Sequence, residues 1–149
     1  PNRRSESVGE FLPSLKKSGV PDVCILIDTS GSMGTREQTI ISEAFGIIED
    51  LELTVWVVCC DTRVTFNAEF VSSPDEIELK GGGGSDFRPA FKLFDEFEGV
   101  IVAFTDGYIT VPSEAPPHAQ GVLWCLWGRR DMDPTRGRWG EVLYIKEEG

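Results

Sequence analysis

Four short runs in this chain are apolar on both parities: Val23 to Ile27 (VCILI), Leu53 to Cys60 (LTVWVVCC), Val100 to Phe104 (VIVAF) and Val122 to Trp127 (VLWCLW). Runs of this kind, rich in β-branched and aromatic side chains, suit strands buried on both faces, the condition of a parallel sheet covered on either side. A strand with one wet face alternates instead. The stretch "VTFNAEF" does so, with Val64, Phe66, Ala68 and Phe70 on one parity and Thr65, Asn67 and Glu69 on the other. Following a turn at Asp61 to Arg63, it predicts an antiparallel hairpin strand at the sheet edge. A weaker fifth apolar run spans Val142 to Ile145.

Helical periodicity fills two of the gaps. From Thr35 to Leu51, the residues Ile40, Ala44, Ile47, Ile48 and Leu51 lie on one stripe, and Thr35 and Gln38 have the spacing of a capping box. After a glycine-rich loop, "GGGGSDF", a second stripe carries Phe87, Ala90, Phe91, Phe94 and Phe97, with Pro89 tolerated in the first turn. The order β-α-β-β-α-β-β-β predicts an α/β fold: a doubly wound, mostly parallel sheet with one antiparallel edge strand. The last third is poor in helix pattern. Pro112, Pro116 and Pro117 break the segment before Val122 to Trp127, and the link to the final strand is also loop-like. This leaves one part of the sheet without a covering helix, so an apolar surface is expected around Trp124 and Trp127, closed by another domain or subunit.

A chain of 149 residues is long enough for one domain with a full core. Residues 1–20 read as an extension or linker and residues 21–149 as the domain. The chain begins at Pro1 rather than Met, which is expected of a segment of a longer protein or, alternatively, of a processed product. Twenty-five acidic against fourteen basic side chains give a net charge of -11, which repels phosphate backbones and anionic lipid surfaces. Nucleic acid and membrane are therefore not expected partners. The basic residues Arg129, Arg130, Arg136 and Arg138 are interrupted by Asp131 and Asp133 and read as a solvated loop. Cys24, Cys59, Cys60 and Cys125 all sit in apolar runs without a CxxC pair, which predicts buried free thiols and a cytoplasmic location. No segment has the length of an apolar membrane span, and "PNRRSESVGEF" lacks a signal-peptide core.

In an open doubly wound sheet, ligands sit beyond the carboxyl ends of the strands where the strand order reverses. The first strand ends in "DTSGSMG", with Asp28, Ser30 and Ser32, and the fourth-strand run ends in "TDG", with Asp106. Between them the glycine loop delivers Ser85 and Asp86. Three hydroxyls and two or three carboxylates converge on one edge, all hard oxygen donors. That chemistry selects Mg²⁺ or Mn²⁺ rather than zinc, which wants His and Cys, with Ca²⁺ less favoured because no loop offers clustered carboxylates. Gly31 and Gly34 let the turn bend tightly, and Gly81 to Gly84 let backbone approach an ion. Asp61, at the end of the second strand run, reads first as a turn former, with a supporting role toward the site second. Asp86 reads as an acceptor that orients ligand hydroxyls or waters.

"DTSGS", "GGGGSDF" and "FTDG", in this order and on these elements, resemble the metal-ion-dependent adhesion site (MIDAS) of von Willebrand factor type A (VWA) domains, a Rossmann-like fold. The resemblance is closer still to the VWA-like domain at the C-terminus of bacterial metallopeptidase-like proteins associated with MoxR-type AAA+ ATPases, through "GVPDVCILIDTSGSM", "CDTRV", "GGGGSDFRPAF", "FTDGY", "VLWCLWG" and "WGEVLYI". It implies Ser30, Ser32 and Ser85 as direct ligands, and Asp28 and Asp106 as ligands directly or through water. Ser85 stands where the family's loop carries Thr. The resemblance further implies a protein-binding module whose ion is completed by an acidic side chain of a partner, and an adaptor working with an AAA+ ATPase.

The alternatives are a metal-dependent hydrolase or phosphatase-like enzyme, or an accessory domain of a metallopeptidase. Each catalytic reading lacks a part. A dehalogenase-type phosphatase needs a second Asp where Ser30 stands; a Ser-His-Asp hydrolase has only His118, in a Pro-rich loop; a P-loop needs Lys where Ser85 and Asp86 follow the glycines. The chain therefore reads as non-catalytic.

Overall fold

The computed structural model describes residues 22–31, 36–51, 54–79, 81–127 and 132–145. The residues 1–20 assigned to an extension, together with Ser32, Gly34 and Thr35, lie outside the described residues.

All the expected strands form: β1 (Val23–Asp28), β2 (Val55–Cys60), β3 (Val64–Ala68), β4 (Val100–Thr105), β5 (Gly121–Trp127) and β6 (Glu141–Ile145). They make one sheet in the order β3-β2-β1-β4-β5-β6. Only β3 runs antiparallel, paired to β2; β1 pairs in parallel with both β2 and β4, and β4-β5 and β5-β6 are parallel. Every residue of β1, β2 and β4 is buried. Their apolarity on both parities is thus explained by two apolar layers, one on each sheet face.

The helix α1 (Arg36–Leu51) follows β1. Of the stripe predicted for it, Ala44 is described and buried, beside Ile41 and Phe45; the side chains of Ile40, Ile47, Ile48 and Leu51 lie outside the description, as does the Thr35–Gln38 cap. The buried residues of α1 join the face lined by Ile25, Val57, Val102, Cys125 and Trp127. The second helix, α2 (Arg88–Lys92), is shorter than its apolar stripe, and turns continue the stripe through Phe94 and Phe97. All five predicted residues are buried, and their rings interlock: Trp56 meets Phe94 and Phe97 edge-on at 5.1 and 5.3 Å, and Phe91 meets Phe94 at 5.2 Å. Trp56 also donates its Nε1–H to Asn67 Oδ1 at 2.6 Å, which satisfies a polar atom that burial would otherwise orphan.

Two sequence expectations are corrected. Trp124 and Trp127, expected to need a cover from outside, are 0% and 6% exposed within this chain. On one face Trp124 packs among Phe87, Phe91 and Trp139, with ring centroids 5.5–6.5 Å apart. Trp139 is held in place by its Nε1–H donating to Pro112 O at 3.2 Å and its carbonyl accepting from Thr135 Oγ1 at 2.9 Å. The chain itself supplies the cover that was expected from another domain or subunit, because aromatic side chains from the start of α2 and from the loop before β6 close the layer. Among the described residues no helix follows α2, as the reduced last third predicted.

The second correction concerns β3. A bulge between Cys59 and Cys60 pairs Cys60 with Val64 but Cys59 with Phe66, which breaks the alternation. Val64 joins the aromatic layer while Phe66 and Ala68 join the opposite one. Phe70, expected beside them, is 51% exposed at φ 58°, and Val71 takes the buried place, its N–H donating to Val55 O at 2.8 Å. All four cysteines are buried, as predicted. No helix among the described residues is long and apolar enough to cross a membrane.

Candidate functional site

Strand order reverses between β1 and β4, so the chain leaves these two neighbours in opposite directions and opens a crevice at their carboxyl ends. Asp28 is the last residue of β1 and Asp106 the first after β4. Both are buried, as are Thr29 and Ser30. Asp28 Oδ1 accepts the Ser30 N–H at 2.9 Å, and Oδ2 accepts the Thr105 hydroxyl at 2.6 Å. The Thr105 Oγ1 in turn accepts the Gly107 N–H at 3.1 Å. Asp106 Oδ1 accepts the Tyr108 N–H at 3.0 Å.

The glycine loop is pinned into this crevice by backbone. Gly82 N–H donates to Thr29 O at 2.8 Å, and Gly31 N–H to Gly83 O at 3.2 Å. Gly81 sits so close to Thr29 that a Cβ there would stand 2.5 Å from the Thr29 carbonyl oxygen, and its φ of 156° suits glycine. Beyond the glycines, Ser85 is half-buried, its carbonyl accepting the Thr110 N–H at 3.4 Å, and Phe87 N–H donates to Thr110 O at 2.8 Å. The segment carrying Ser85 therefore lies against the segment that follows Asp106. Three of the five predicted ligand positions, Asp28, Ser30 and Asp106, share the crevice mouth, and the Ser85 loop is tied to both sides of it. Ser32 lies outside the described residues.

Asp61 is buried at the end of β2 and does what a turn former does. Its Oδ1 accepts the Thr62 and Arg63 N–H groups at 2.5 and 3.1 Å. Its Oδ2 also accepts the Gly83 N–H at 3.3 Å, which clamps the glycine loop. Burial pushes the Asp61 carboxyl up, yet the backbone donors of Arg63, Gly83 and Thr62 together outweigh it and hold it below the usual range. Asp86 is engaged elsewhere: Arg88 meets it through its backbone N–H, Nε and Nη2 at 2.8–3.0 Å. The Arg88 guanidinium holds the Asp86 carboxyl low, and the pair tightens the start of α2. His118 is exposed in its loop.

The electrostatics of Asp28 run the other way. Burial pushes its carboxyl up, the hydrogen bonds from Ser30 and Thr105 draw it partly back, and the charge of Asp106 adds to the push. Two acidic groups thus stand at the carboxyl ends of neighbouring strands, close enough for the charge of one to act on the other, and among the described residues no basic side chain is paired with either. Such an arrangement is costly without a counter-charge. Among the described residues no group of three or more His, Cys, Asp or Glu is placed to hold a metal ion. The residues expected as donors are instead a mixture of carboxylates and serine hydroxyls, and Asp106 Oδ2 carries no hydrogen bond among the described residues. Hard oxygen donors of low total charge fit a small hard cation that retains water.

Sequence reasoning missed Thr105. It lies inside an apolar strand, and nothing local marks its hydroxyl as the partner of a carboxylate 77 residues away. It also missed Thr29, whose buried Oγ1 has no hydrogen-bond partner among the described residues.

Comparison with known proteins agrees with this architecture. Residues 23–146 match the family model described as VWA-like domain (DUF2201). An uncharacterized protein of Thermotoga maritima (strain MSB8) is 33% identical over 117 residues, which cover 75% of this chain and 28% of that protein. The chain thus spans just over a quarter of the length of the curated relative it matches. On the family match, and on a six-stranded sheet with a single antiparallel edge, the chain belongs to the VWA-like domain family.

Proposed function

We propose that this VWA-like domain is a divalent-cation-dependent protein-interaction module of the MIDAS type, with Asp28, Ser30, Ser32, Ser85 and Asp106 as the residues that hold Mg²⁺ or Mn²⁺. The observation that carries this reading is the buried Asp28–Asp106 pair at the switch between β1 and β4, a concentration of negative charge with no basic partner among the described residues. When bound, a hard cation neutralises that charge and offers a coordination position to a carboxylate from an acidic side chain of a partner protein.

The chain's own residues prepare the place. Ser30 and Thr105 orient the two oxygens of Asp28, Tyr108 N–H orients Asp106, and Asp61 holds the glycine loop against the β1 turn. The resemblance to domains of metallopeptidase-like proteins supports an adaptor role in a larger cytoplasmic protein, alongside a MoxR-type AAA+ ATPase. Binding rather than catalysis is favoured because Ser30 stands where a phosphatase of similar topology needs an acid.

Thermal melts with EDTA, Mg²⁺ or Mn²⁺, on the wild type and on Asp28→Ala, test the reading. At a cation concentration about 100 times Kd the wild type gains about 2.7 kcal/mol. For a chain of roughly this size each kcal/mol is worth about 2–4 °C in Tm. Asp28→Ala is expected to lose the shift. A wild type whose Tm is the same in EDTA and in either cation overturns the proposal.

A further inference from the structure

Thr105 ends β4 fully buried, bonded to one candidate ligand at the end of β1 and next in sequence to another. Its hydroxyl has one proton and a fixed geometry. The Gly107 N–H points at Thr105 Oγ1 (3.1 Å), so the oxygen is committed as an acceptor on that side and its own proton is directed to Asp28 Oδ2 (2.6 Å). The relay Gly107 N–H to Thr105 O–H to Asp28 spans the two sides of the crevice. Asp106 lies between the first two members of that relay, in the tight turn whose glycine has φ 92°. The position of Asp106 is therefore coupled to that of Asp28 through one hydroxyl.

We propose that Thr105 is the positioning residue of this site: by donating to Asp28 Oδ2 while accepting from Gly107 N–H, it holds the Asp28 and Asp106 carboxylates in the arrangement that takes the cation. This rests on the cation-binding reading above. The Asp28 oxygen that Thr105 engages keeps a second lone pair for another partner, and the donor fixes the direction of that lone pair. Ser30 fixes the other oxygen in the same manner, so the carboxylate cannot rotate about its terminal torsion without losing a bond on each side. A valine at position 105 keeps the shape and burial of the strand end and deletes only the relay.

The experiment measures Mn²⁺ and Mg²⁺ affinity by isothermal titration, and Tm in EDTA, for the wild type, Thr105→Val and Thr105→Ser. Loss of an outer hydrogen-bond partner weakens metal binding by about 10- to 100-fold. We expect that loss in Thr105→Val, and an affinity within about threefold of wild type in Thr105→Ser, which retains the hydroxyl. A purely structural role would lower the Tm in EDTA and leave the affinity of the folded protein unchanged; that result overturns the proposal. If Thr105→Val is unfolded by near-UV circular dichroism, Thr105→Ala, which leaves room for a water, is read in its place, and unchanged affinity there likewise overturns it. A wild type that binds neither cation defeats the underlying reading and this one together, whereas wild-type binding with an unaltered Thr105→Val defeats this one alone.

Discussion

Asp61 Oδ2 accepts the Gly83 N–H at 3.3 Å, and through it the end of β2 grips the glycine loop that carries Ser85. The grip is reinforced next door, where Asp86 N–H donates to the Asp61 carbonyl at 2.7 Å. A Cβ on Gly83 would approach Asp61 Oδ2 to 3.2 Å, so the loop's lack of side chains is part of how closely it seats. A carboxylate that sequence reading assigned first to a local turn thus also sets the position of a loop more than twenty residues away in sequence.

Asp61→Ala removes the acceptor for three backbone donors. Leaving such donors without a partner costs about 1–3 kcal/mol, measured as a lower urea midpoint, and amide exchange at Thr62, Arg63 and Gly83 is expected to quicken. The pH dependence follows from the lowered carboxyl. A group whose folded pKa lies below its unfolded value adds stability that is present above the unfolded value and is lost as pH falls through the folded one. The wild type should therefore lose more stability than Asp61→Ala as pH falls through and below 3.8. Equal acid limbs for the two proteins would refute this.

Gly107 is held by backbone on both counts that matter. Its φ is 92°, and a Cβ there would stand 2.1 Å from the Met132 carbonyl oxygen, an atom that cannot swing aside. Gly107→Ala is expected to destabilise the domain by about 2–4 kcal/mol and to displace the turn bearing Asp106. Chemical denaturation gives the first, and the cation-dependent Tm shift reports the second. An alanine variant with wild-type stability would contradict the close approach.

The thiols offer a prediction at the alkaline end. Burial, opposed in part by a backbone hydrogen bond, pushes Cys60 up to about 12, and burial pushes Cys24 and Cys125 up as well. A folded pKa above the unfolded value contributes stability that is full below the unfolded pKa and declines as pH rises toward the folded one. Urea unfolding should therefore show the domain weakening as pH rises from 9.0 toward about 12. At neutral pH a thiol reagent such as Ellman's should react with none of the four cysteines until denaturant is added. Rapid labelling of the native protein would show that the sheet opens more readily than its packing implies.

The sheet was legible in the sequence because each strand's environment is printed in its own residues. A segment buried on both faces must be apolar on both parities, and a segment followed by a tight functional turn must change character at its end. Asp28, Ser30 and Asp106 stand out in this way, as abrupt polar residues after apolar runs. The bond from Thr105 to Asp28 was not legible, since it joins residues 77 apart in sequence, and for Asp61 a supporting role could be read but not the loop 22 residues away that it clamps. Local pattern carries no record of such partners.

The same distinction explains the two corrections. Alternation in "VTFNAEF" foretold an edge strand, but the bulge that moves Val64 to the opposite face arises from how β2 and β3 pair, and pairing is not a property of either strand alone. The apolarity of β5 foretold burial, but what covers Trp124 is the joint arrival of Phe87, Phe91 and Trp139 from two separate parts of the chain. Sequence by itself determined which segments leave water and where the polar edge of the sheet must fall, because solvation and strand periodicity act residue by residue. Only the tertiary structure decided which hydroxyl orients Asp28, which loop is clamped by Asp61 and what closes the last face, because hydrogen-bond geometry and ring packing exist only between segments that folding has brought together.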